Sequence, residues 1–249
     1  MVSTTQEKPR QGSRPSEEQQ PFSYPSSSRQ APQPAVEQKV GVDDLLKQYA
    51  EGRRDFHGVD LIKVDLSQVY LEGINLQRAN LIETNLTGAN LSKANLSGAN
   101  LNKANLQRAD FTGTNLTDVN LSNASLWWTN LQRADLRRAN LSEANLNKAN
   151  LQKANLCQAN LSKASMWWAD LSDANLQEAI LKDADLTVAT FMRAVLSEAD
   201  LRSADLSGTN LSNANLEDAD LTDSILYETN LNEANLANAT MPRGYTSLV

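Results

Sequence analysis

From Phe56 to Met241 every fifth residue is large and apolar, without one insertion or deletion, and 33 of the 38 such positions are Leu. The exceptions are Phe56, Phe111, Met166, Phe191 and Met241. A period of five fits neither regular element. In an α-helix a step of five rotates each Leu by about 140°, so the leucines spiral over the whole surface instead of lining one face. In a continuous strand an odd step throws successive leucines to opposite sides. Two residues before each large one sits a small or β-branched residue, as at Ala94, Ala99 and Ala104, with Arg54 the departure at the start. Residues two apart share one face of an extended segment. The chain must therefore bend within every repeat, at the two residues after each Leu, to bring the next pair inward. A bend repeated in one sense makes a coil.

The flanks obey different rules. Residues 1–40 hold six of the seven prolines (Pro9, Pro15, Pro21, Pro25, Pro32 and Pro34) and are rich in Ser and Gln. Such a stretch buries too little apolar surface to offset its ordering entropy, and a disordered tail is expected. Residues 41–55 are expected to form a capping helix. Asp43 is the candidate N-cap, Val42, Leu45, Leu46 and Tyr49 recur at helical spacing, and Gly52 is placed to end it. The repeats fill 56–241, and 242–249 form a C-terminal tail ending in Ser-Leu-Val.

Composition narrows the function. Aromatics are 5% of the chain and the net charge is −7, which argues against non-specific binding to nucleic acid or to an anionic membrane. The first thirty residues carry no apolar run, so neither a signal peptide nor a membrane span is expected, and the single Cys157 fits a reducing, cytoplasmic setting. His57 is the lone histidine, Cys157 has no histidine beside it, and glycines occur singly. Asp and Asn recur as ladders instead of clustering into an oxygen cage. No catalytic residue, cofactor or metal is expected, nor a pocket for a small molecule in a filled coil.

The repeated A-(N/D)-L-x-x unit, as in ANLSKANLSGANLNKANL at 89–106, resembles the pentapeptide-repeat proteins over about three quarters of the chain. The entry into the repeats (LLKQYAEGRRDFHGVDL) and the MPRG ending are similar to cyanobacterial members. The resemblance implies an all-β fold, a right-handed quadrilateral parallel β-helix with four repeats per turn and Leu and small residues inside. On that geometry the repeats make 9.5 coils, a rod roughly 45 Å long at about 4.8 Å per coil. Both ends then need protection. The C-terminal end has little, which makes it a candidate surface for a homodimer, as in relatives that dimerise there.

With four repeats per coil, residues twenty apart stack. All four tryptophans fall in two such ladders: Arg108, Trp128, Lys148, Trp168, Val188 and, beside it, Gln107, Trp127, Asn147, Trp167, Thr187. Indoles interleaved with cations invite cation–π contacts, and tryptophan is enriched at binding hot spots. Trp127, Trp128, Lys148, Trp167 and Trp168 are therefore the expected protein-binding residues of a non-catalytic scaffold or regulatory protein. Duplication of a 40-residue unit would account for two pairs, but not for either facing water.

Charge suggests an alternative. Residues 76–165 carry a net +5 and residues 166–240 a net −11. Glu178, Glu198 and Asp218 stack in one ladder, with Asp200, Glu217 and Asp220 beside it. Some relatives mimic DNA and bind type II topoisomerases such as gyrase. The acidic segment, about 18 Å long, faces roughly 10–11 charges on duplex DNA of that length. Its carboxylates are spread around the coil, however, and the adjoining half is basic.

Overall fold

A computed structural model describes residues 41–245. The expected tail at 1–40 and the final residues 246–249 lie outside the described residues. One helix, α1 (Val42–Ala50), precedes the repeats. Its N-cap is Gly41, not Asp43: the Gly41 carbonyl accepts the Leu45 amide at 2.9 Å, and no side chain caps the helix. Starting there brings Val42 onto the interior with Leu46 and Tyr49, while Leu45 is fully buried. Asp43 and Asp44 fall in the first turn, where the helix dipole favours carboxylates. Gly52, at φ 99°, redirects the chain in a left-handed conformation.

Every repeat then has one local form. Leu76 opens a four-residue turn in which its carbonyl accepts the Ala79 amide at 3.0 Å, and the third residue, Arg78, has φ 56°. A left-handed third residue is the feature of a type II turn. Asn75, just before Leu76, pairs in parallel with Asn95, and the same step of twenty runs from Asp55↔Asn75 to Asp220↔Thr240. Four repeats thus close one coil. The Leu76 amide donates to Asn95 O at 2.7 Å and the Asn95 amide to Ile74 O at 2.9 Å, so backbone groups are paired across coils.

The preference for Asn or Asp before each Leu has a cause the period alone did not show. Its side-chain oxygen accepts the amide two residues on, as from Gln77 to Asn75 Oδ1 at 3.1 Å, which serves a turn donor the coil leaves unpaired. Inside, the leucines from Leu61 to Leu221 are sealed. Where Thr replaces the small residue, its hydroxyl is satisfied: Thr84, Thr114, Thr129 and Thr209 each donate to the carbonyl 23 residues earlier, at 2.7 to 2.8 Å.

Candidate functional site

Trp127 and Trp128 are the middle residues of the turn opened by Leu126, and Trp167 and Trp168 of the turn opened by Met166. Leu126 and Met166 are buried, so the turns point the indoles outward. Trp128 (φ 57°) and Trp168 (φ 56°) hold the left-handed position that Gly88, Gly98 and Gly113 take elsewhere. A non-Gly residue there costs roughly 1–2 kcal/mol. The position is not reserved for glycine, since most repeats carry Lys, Arg, Asp, Glu or another side chain there.

The indoles and cations interlock along the ladder. Trp127 and Trp128 stack with ring centroids 5.2 Å apart and planes 6° from parallel. The Arg108 guanidinium lies 5.4 Å from the Trp127 ring and 5.9 Å from Trp128. Trp167 and Trp168 meet edge to face at 5.4 Å. Between the pairs stands Lys148, its Nζ 5.7 Å from Trp128, 4.9 Å from Trp167 and 5.2 Å from Trp168. Asn147 supports the second pair: its Oδ1 accepts the Trp167 amide and the Ser165 hydroxyl, each at 2.8 Å. Trp128, Trp167 and Trp168 are 51%, 38% and 59% exposed. Trp127 differs from expectation, being half-buried; its stacked neighbour and Arg108 cover it.

Trp128, Lys148 and Trp168 line a shallow, open depression on the outside of the coil. Its walls are large side chains that stand two coils apart. Val188 belongs to the same surface. It continues the ladder beyond Trp168, exposed and at φ 57°, an outlier for a β-branched residue. The signal was its place at a turn position, legible only once that position is known to be left-handed.

The acidic ladder is built less simply than its sequence suggests. Glu178, Glu198 and Asp218 are exposed at left-handed positions one coil apart, and Glu217 is exposed beside them. Glu178 accepts from Gln158 Nε2 at 2.9 Å. Asp200 and Asp220 precede the next leucines and are shared by Arg202, at 2.6 Å and 3.7 Å. The hydrogen bond from Arg202 holds the Asp200 carboxyl below its ordinary range in spite of partial burial. Asp173 is likewise lowered by Arg193, its ladder neighbour. Part of the negative charge is thus neutralised by the chain itself.

The pentapeptide-repeat family model of eight copies matches seven overlapping stretches, from 55–92 to 204–241. The chain belongs to the pentapeptide-repeat family. Among solved structures, this family member is similar to HetL, a pentapeptide-repeat protein involved in heterocyst differentiation regulation in the cyanobacterium Nostoc sp. strain PCC 7120. The two are 34% identical over 83% of this chain and 99% of that one, with a TM-score of 0.50. QnrB1, a plasmid-mediated fluoroquinolone resistance protein, is 21% identical over 75% of this chain and 92% of that one, with a TM-score of 0.44. No curated protein matches the sequence. Family membership and the likeness to HetL make the coil a right-handed β-helix solenoid.

The remaining reactive residues of this pentapeptide-repeat protein sit apart from the tryptophans. His57 is exposed and its Nδ1 lies 3.0 Å from Asp55 Oδ1. The Cys157 amide donates to Asn155 Oδ1 at 3.2 Å, as any residue at that turn position would. Among the described residues no cluster of His, Cys, Asp and Glu is arranged to hold a metal, and no helix is long and apolar enough to cross a membrane.

Proposed function

We propose that this protein is a non-catalytic scaffold or regulator: a rod of about 9.5 coils, capped by α1, that presents the Trp127, Trp128, Lys148, Trp167 and Trp168 surface to a protein partner. One observation carries the reading. Two Trp pairs two coils apart leave Trp128, Trp167 and Trp168 exposed to water around the same lysine. Large indoles exposed together on an otherwise polar face are best accounted for by what they touch outside the chain. A regulatory role accords with HetL, which is 34% identical over 83% of this chain. Pull-down with wild type and with all four tryptophans changed to Ser tests it. One specific partner is lost while the melting curve is unchanged; retention of every partner refutes the reading.

A second reading, DNA mimicry toward a type II topoisomerase, is favoured by the unbridged carboxylate ladder of Glu178, Glu198 and Asp218. A gyrase supercoiling assay separates the two, since inhibition that survives loss of the tryptophans supports mimicry. Self-association through the C-terminal end is supported by the half-exposed Leu226, Leu231, Leu236 and Met241. Sedimentation of the intact chain against a Leu236→Asp variant measures it.

A further inference from the structure

The two tryptophan ladders continue past Val188 and Thr187. Gly208 and Glu228 follow in one, Ser207 and the exposed Tyr227 in the other. The backbone joins each coil to the next along them, with the Val188 amide on Ser207 O at 2.9 Å and the Gly208 amide on Tyr227 O at 2.8 Å. Trp168 is a midpoint: Arg108 lies three coils before it and Glu228 three coils after, about 14 Å either way. Outward from Trp168 in the two directions, the positions are complementary in size and in charge. Two coils out, Trp128 has Gly208 as its counterpart and Trp127 has Ser207, a large side chain against none or a small one. Three coils out, exposed Arg108 has exposed Glu228. One coil out, Lys148 has Val188. The Lys148 ammonium is held by its own three indoles, so its aliphatic stem is free to cover an apolar neighbour.

A face complementary to its own inversion fits a second copy related by a two-fold axis, because an isologous contact sets residue i on j and j on i. We propose that two chains pair side by side and antiparallel, with the two-fold axis at Trp168. This rests on the reading of the tryptophans as an interaction surface and commits that surface to a copy of this chain. Trp168 then stacks on its counterpart, and Lys148 lays its stem over Val188. Trp128 takes the space at Gly208, where an added Cβ meets nothing nearer than the Val188 side chain at 3.6 Å. Arg108 meets Glu228 in two symmetric ion pairs. The distribution of charge sets the direction. Residues 76–165 carry a net +5 and residues 166–240 a net −11, and the sign changes beside Trp167 and Trp168. Antiparallel pairing about that point lays the basic part of each copy on the acidic part of the other, whereas parallel pairing lays like on like. The contact is one corner of the coil, about 29 Å long over six coils. Such a strip is at the small end of specific interfaces, and association in the micromolar range is expected.

Sedimentation of the full-length protein from about 1 μM to about 1 mM measures the pairing. The expected result is a monomer–dimer equilibrium that Arg108→Glu and Glu228→Arg each weaken about tenfold or more. An equimolar mixture of the two variants dimerises as tightly as wild type, because both ion pairs form again between the unlike copies. Recovery in the mixture also shows that both variants are folded. Gly208→Trp abolishes pairing by filling the space for Trp128, at a turn position that Trp128 and Trp168 already occupy elsewhere in the coil. A monomer throughout the range, a mixture no tighter than its components, or a dimer indifferent to Gly208→Trp overturns the proposal. So does a dimer that is lost in Leu236→Asp and unaffected by Arg108→Glu, since Arg108 lies more than six coils from Met241 at the open end. If the protein is monomeric and the tryptophan-to-Ser variant still loses its partner in the pull-down, the interaction surface stands and only the second copy is wrong.

Discussion

The two ends of the coil bury the same kind of interior and finish it differently. At the N-terminal end α1 lies over the first rungs: Leu45 is 0% and Phe56 2% exposed, and the Tyr49 hydroxyl donates to Glu72 O at 2.8 Å. At the C-terminal end Leu226, Leu231, Leu236 and Met241 occupy the same interior register but are half-exposed. The amides of Leu226, Leu231 and Leu236 have no backbone acceptor among the described residues. A rung is therefore sealed by its neighbours on both sides, and the repeat by itself does not seal it. That is the behaviour of a one-dimensional array, in which interfaces between repeats carry much of the stability.

Breaking the middle gives the largest effect. Leu146→Asp places an unpaired carboxylate between two intact coils and is expected to cost several kcal/mol in chemical denaturation. Leu236→Asp, half in water already, costs well under that. Equal losses would contradict the difference between middle and open end. The cap comes next. Leu45→Ala is expected to cost about 2–4 kcal/mol, and Tyr49→Phe about 1 kcal/mol by leaving Glu72 O without its donor. A Leu45→Ala variant no less stable than Leu236→Ala would show that α1 does not protect the first coil.

The tryptophan turns sharpen the contrast between what serves the fold and what does not. Trp128→Gly and Trp168→Gly relieve a left-handed conformation and are expected to raise stability, by up to about 1 kcal/mol each, while abolishing partner capture. A fall in melting temperature would mean that the indoles hold the rod together. The smallest effect concerns the Asp200–Arg202 pair. Its folded carboxyl lies below the ordinary value of about 3.9, so its stabilisation is present above that value and fades as pH falls through the lower folded value. As a largely solvated pair it contributes less than about 1 kcal/mol. Asp200→Asn should lower stability slightly at neutral pH, leave it almost unchanged well below the folded value, and so flatten the stability curve in acid.

Much of this architecture was legible in the residues. The inward positions, the bends after each Leu, the helix before the repeats and the ladder of Trp128, Lys148 and Trp168 follow from spacing together with the family resemblance. Less was legible where a residue's role depends on its neighbour one coil away. Trp127 reads as water-facing until the Arg108 side chain is placed over its ring. Asp200 and Asp220 read as parts of a bare acidic ridge until Arg202 is seen to reach both. Asp43 reads as a cap until Val42 is found on the interior, which moves the helix start back to Gly41.

The sequence by itself determined which side chains face in. A period of five with Leu and a small residue two apart leaves one solution, because any other path exposes a continuous run of leucines to water. The tertiary structure alone decided the rest: the left-handed turn at Trp128 and Trp168, the oxygen of Asn75 closing on the Gln77 amide, and the absence of a carboxylate within the reach of Lys148 among the described residues. Burial follows from local spacing, which the chain carries along its length. Pairing between residues twenty apart exists only once the coil has closed and brought successive turns within about 4.8 Å.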